Sequence, residues 1–168
     1  MGCQVLVAGI GNIFLSDDGF GVEVATRLAQ QPLPPEVRVA DFGIRGVHLA
    51  YELLEGYDCL ILVDATPMGE NPGTVAVIQP ESTGSRVIVG DEVPAVDAHG
   101  MSPDVVLATL SRLGGDVPLV YVVGCQPDSL DEGIGLTPAV AAAVEGAVAL
   151  CSQLMADMVQ PVGKGTRP

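Results

Sequence analysis

Three side chains stand where they could do chemistry. Asp18 ends the segment Gly9-Ile10-Gly11-Asn12-Ile13-Phe14-Leu15-Ser16-Asp17-Asp18, between an apolar run and a helical pattern. Asp64 follows Leu60-Ile61-Leu62-Val63 without a break, and His99 lies in Asp97-Ala98-His99-Gly100, a loop ahead of Ser102-Pro103. A carboxylate at the end of a wholly apolar strand must be solvated in a cleft, paired, or bound to something, because an unpaired buried charge is too costly. A loop histidine beside an acid can ligate a metal or carry a proton. Two carboxylates and one imidazole suit a borderline divalent ion such as nickel or zinc, with positions left for water or substrate.

Plainer roles compete for the same residues. Ser16, Asp17 or Asp18 could cap a helix that starts at Gly19, and Asp17 suits a cap or a solvent-facing position better than its neighbour does. Asp64 could serve the turn Asp64-Ala65-Thr66-Pro67. Gly9-Ile10-Gly11-Asn12 matches the start of a dinucleotide loop, but the third glycine would fall at Phe14, and two aspartates before the helix repel phosphate. No GxSxG elbow, HExxH or Walker loop is present. His48, in a helical stretch, reads as a helix-surface residue. Cys3, Cys59, Cys125 and Cys151 form no CxxC pair, and three lie in or beside apolar runs, as buried reduced thiols of a cytoplasmic protein do.

The elements that must position these residues follow from periodicity. Apolar, β-branched runs at 4–8, 37–40, 59–63, 75–79 and 119–123 read as short strands, mostly buried on both faces. Helical patterns lie at 19–30, 47–54, 103–113 and 138–159; Ser102-Pro103 and Thr137-Pro138 offer a capping hydroxyl followed by proline at the first helical position. Val140, Val144, Val148, Cys151, Met155 and Met158 form one stripe at helical spacing, read as core. Alternating strands and helices predict a parallel sheet covered on both faces. The link from Asp64 to Val75 holds two prolines, two glycines and no helical period, too little for a parallel return, so the strand at Val75 should run antiparallel to its predecessor.

The 168 residues, 48% of them apolar, suit one domain over 1–159, with 160–168 a polar tail. Lys and Arg number 7 against 21 Asp and Glu, a net charge of −14. That excludes nucleic acid and anionic membrane as natural partners and suits one that is basic or carries a cation. No signal peptide and no apolar run of membrane-spanning length is expected.

GIGNIFLSDDGFGVEVATRL, DFGIRGVHLAYELL, CLILVDATPMGENPGTV, DAHGMSPDVV and GCQPDSLDEGIGLTPAV, in that order over residues 4–158, resemble the hydrogenase maturation proteases, which process the large subunit of [NiFe] hydrogenases. The resemblance implies an α/β chain with a three-layer αβα fold of the phosphorylase/hydrolase-like kind, its five-stranded mixed sheet having one antiparallel strand. It implies an aspartic-type or metal-dependent endopeptidase that removes a C-terminal extension from the nickel-loaded precursor. Asp18, Asp64 and His99 fall on the family's metal-contacting positions. Some relatives carry Glu where this chain has Asp18, a reach longer by one methylene. Asp41-Phe42-Gly43-Ile44 departs from the family's usual Asp-Gly-Gly-Thr. The nickel is expected to come with the substrate, with no organic cofactor, and the chain to act as a cytoplasmic monomer. A metal bound by the three residues could activate water and polarise the carbonyl, or the nickel could serve mainly for docking while one carboxylate acts as general base. A nickel-handling accessory protein and a nucleotide-binding α/β module are the rival classes. The spore germination protease shares the expected architecture with an unrelated partner.

Overall fold

The computed structural model describes residues 2–80 and 102–160. Within them, β1 (Val5–Ile10), β2 (Val37–Gly43), β3 (Cys59–Ala65), β4 (Val75–Ile78) and β5 (Leu119–Cys125) form one sheet in the order β2-β1-β3-β5-β4. All neighbouring pairs are parallel except β4 with β5. The strand at Val75 is therefore reversed, as its short connection requires. Its hydrogen-bonded neighbour, however, is β5, which lies between it and β3.

β1 and β3 are buried along their whole length, as central strands must be, and the pleat divides them between two cores. Val5 and Val7 of β1 and Cys59, Ile61 and Val63 of β3 face α1 (Phe20–Ala29) and α4 (Pro138–Val159). Leu6, Ala8, Ile10, Leu60 and Leu62 face α2 (Gly46–Leu53) and α3 (Pro103–Arg112). The result is the three-layer αβα arrangement. By length and hydropathy α4 could cross a membrane, yet Val140, Val144, Val148, Cys151 and Met155 are buried in the first core. The stripe is core.

The glycines ahead of α1 have a steric purpose. A Cβ on Gly21 would lie 2.0 Å from the Val63 carbonyl oxygen, and one on Gly9 would lie 2.2 Å from that of Gly21. Only glycine lets α1 press its backbone onto β1 and β3. Gly11, at φ +131°, packs as tightly on the Asp18 carbonyl. These contacts seat the 3-10 turn Ser16–Gly19 over the strand ends.

Candidate active site

Asp18 is the third residue of that turn. Its Oδ2 accepts the Asn12 backbone N–H at 2.7 Å, so the loop leaving β1 aims the carboxylate. Asp64 is the penultimate residue of β3, opposite Gly124 of β5, and only 8% exposed. Strand alternation puts its side chain on the Leu60–Leu62 face, the face of α2 and α3. Burial, and then the charge of Asp18, pushes its carboxyl up to about 8, against the pull of a hydrogen bond from the Ala65 N–H. At neutral pH and without a cation Asp64 keeps its proton. A divalent ion between the two carboxylates would offset both the burial penalty and their repulsion.

The expected third member, His99, lies outside the described residues. Among the described residues no three His, Cys, Asp or Glu side chains converge as a metal site. What is placed is a coupled carboxylate pair, from segments following β1 and ending β3, at the strand ends where α/β sheets bind ligands.

Asp17 differs from its expected role. It neither caps α1, whose N-cap is Gly19 without a side-chain bond, nor faces solvent. Fully buried, its Oδ2 accepts the N–H groups of Asp128 (2.8 Å) and Ser129 (3.0 Å), and its Oδ1 accepts the N–H of Thr137 (2.7 Å). The Thr137 hydroxyl donates to the same carboxylate. Burial alone would raise this acid, but the bonds from Ser129, Thr137 and Asp128 hold it below the ordinary value. Nothing local in the sequence marks this role, because the partners lie more than 110 residues away. Thr137 consequently does not cap α4 with its side chain, whereas Ser102 does cap α3 through the Val105 N–H.

The remaining candidates fall outside the pair. Asp41 is exposed in β2, opposite Gly9, its carbonyl accepting from Arg45 Nη2. His48 is exposed on α2, as expected of a helix-surface residue. All four cysteines are free, with Cys59, Cys125 and Cys151 buried. Burial first pushes Cys125 up to about 11 and the other two to about 12, so none supplies a thiolate near neutrality.

An open α/β sheet with an acid pair at the strand ends is an architecture suited to hydrolysis without a serine or cysteine nucleophile. The chain belongs to the hydrogenase maturation protease family, whose family model matches residues 22–153. It is 35% identical to the Hydrogenase 2 maturation protease of Escherichia coli over 153 residues, covering 86% of each chain. It is also 35% identical to the Hydrogenase expression/formation protein HupD of Rhodobacter capsulatus, over 87% of this chain and 68% of that one. Among solved structures, the hydrogenase maturating endopeptidase HybD from E. coli superposes with a TM-score of 0.72 at 32% identity, covering 92% of this chain and 93% of that one. The chain is thus a peptidase of hydrogenase maturation, and the expected αβα fold with its mixed sheet holds.

Proposed function

We propose that this endopeptidase removes the C-terminal extension of a [NiFe] hydrogenase large-subunit precursor once nickel is in place, with Asp18 and Asp64 contacting the nickel that the substrate brings. The observation that supports this is the setting of Asp64, a carboxyl buried beside a second carboxylate, whose ionised form a cation would stabilise. His99 is proposed as the third contact. An aspartate in the place of a longer glutamate requires the metal to approach the turn more closely.

Hydrolysis puts the water oxygen on the scissile carbonyl carbon and a proton on the leaving nitrogen. A carboxylate that the substrate's cation holds ionised can take the proton from the attacking water and return it to the leaving nitrogen. Asp64 is accordingly assigned the proton transfer and Asp18 the metal contact beside it. The buried, reduced thiols suit a cytoplasmic site of action.

The test is mass spectrometry of nickel-loaded and nickel-free large-subunit precursor, each incubated with the protein. Trimming of the loaded form alone is expected. Equal trimming of both would remove the nickel contact, and no trimming of either would remove the proteolytic reading.

A further inference from the structure

Two loops beside the acid pair keep large apolar side chains in solvent. Ile13 and Phe14 stand on the loop after β1, and Leu130 and Ile134 on the loop between β5 and α4; Phe14 is 60% exposed and Ile134 82%. The loops are one rigid unit. Leu15 and Gly133 form a parallel bridge, the Gly133 N–H donates to the Phe14 carbonyl, and the Ser16 N–H donates to that of Gly133. The Ser16 hydroxyl donates to the Asp131 carbonyl, and beneath them the buried Asp17 carboxylate gathers the N–H groups of Asp128, Ser129 and Thr137. Ser16 itself is held at φ +52°, a conformation non-glycine residues adopt only where their surroundings over-determine it.

A frame this constrained does not let its apolar tips fold inward. Exposed apolar clusters of this kind mark interaction surfaces. What covers this one follows from continuity with the site: the loop that carries Ile13 and Phe14 also supplies the Asn12 N–H that holds Asp18. A macromolecule presenting a group to Asp18 must approach the loop that carries Phe14. The acids Asp128, Asp131 and Glu132 stand exposed around the apolar tips. The surface therefore fits an apolar patch flanked by Lys or Arg.

Building on the reading above, we propose that this two-loop rim is the docking surface for the folded large-subunit precursor, supplying affinity while the acid pair supplies chemistry. Rigid loops bind without an ordering cost, so a few apolar anchors suffice.

The test compares wild type with Phe14→Ser, Ile134→Ser and the double variant. Binding of fluorescently labelled precursor is measured by anisotropy, trimming rate is measured against precursor concentration, and circular dichroism monitors the fold. The double variant should raise both the precursor Kd and KM by about tenfold or more with kcat little changed, and Ile134→Leu alone should keep wild-type values. Unchanged Kd and KM in a folded double variant would overturn the docking surface, as would a change confined to the chain's self-association in sedimentation. Wild type that binds precursor without trimming it overturns the proteolytic reading and leaves the rim to be judged on Kd. Wild type that does neither overturns both.

Discussion

The buried carboxylate of Asp17 accepts the backbone N–H of Thr137 at 2.7 Å and its hydroxyl at 2.8 Å, tying the turn after β1 to the start of α4 across 120 residues. Asp17→Asn keeps the shape but puts an NH2 where donors converge. It should cost about 2–4 kcal/mol in urea denaturation, since buried charged hydrogen bonds are lost together. The folded-state carboxyl lies below its ordinary value, so its stabilisation is present above the unfolded aspartate range and fades as pH falls through the folded value. The acid limb of the variant's stability curve should be flatter. A loss within about 0.5 kcal/mol would show that the tether is not structural.

Asp64 has the opposite sign. Its carboxyl is raised to about 8 in the folded chain, against about 3.9 unfolded. Between those values the unfolded state ionises while the folded state keeps its proton, so stability falls as pH rises from about 4 to about 8. Asp64→Asn should remove that slope and melt above wild type at pH 8. Its trimming of precursor should drop by on the order of a hundredfold or more, because the proton-carrying group and the anion are gone. Identical pH slopes in the two proteins, or unimpaired trimming, would refute the assignment.

The charge of Asp18 is the second cause of the high Asp64 value, after burial. Neutralising it in Asp18→Asn should move the Asp64 titration downward, read from its carboxyl carbon-13 shift, while trimming falls as it does for Asp64→Asn. A titration that stays in place would mean that the two carboxylates are not in each other's field.

Two glycines should respond in opposite directions to alanine. At Gly21 a Cβ would meet the Val63 and Ile10 carbonyl oxygens at 2.0 and 2.5 Å, lifting α1 from the strand that carries Asp64. A cost of about 1–3 kcal/mol or more is expected, with activity lost in parallel. Gly146, inside α4, has open space around its Cβ position. There alanine should stabilise by about 0.5–1 kcal/mol with trimming unchanged. Chemical denaturation of both variants decides the point.

Cys125 and His48 should be dispensable for chemistry. The thiol is buried and pushed up to about 11, and the imidazole is exposed on α2. Cys125→Ser should lower the melting temperature while leaving the trimming rate of the folded enzyme near wild type, and His48→Ala should change neither. Loss of trimming in a folded Cys125→Ser would establish a thiol mechanism instead.

Much of this protein was written locally in its chain. The unbroken apolar run ending in Asp64 reads as a central strand with an acid at its mouth, because burial on both faces leaves a polar residue no place but the end. The proline- and glycine-bearing link to Val75 reads as too short for a parallel return, because chain reach does not depend on context. Helix spans and the α4 stripe followed from period and proline position. The order of the strands did not, since inserting β5 between β3 and β4 is a contest among edges that no segment records by itself. Thr137 and Asp17 each looked like a local cap, and only the fold, by burying Asp17 beside Thr137, gave the carboxylate four better donors than a neighbouring helix end. Gly9-Ile10-Gly11 matches only the start of a dinucleotide loop, and the aspartates that follow already speak against phosphate. What the glycines do instead was decided by tertiary packing, because a Cβ there would have collided with the backbone of α1 or of the turn that holds Asp18. Asp64 as an acid is plain in the sequence, but its proton at neutral pH is not, because that depends on burial and on the charge of a residue 46 positions earlier.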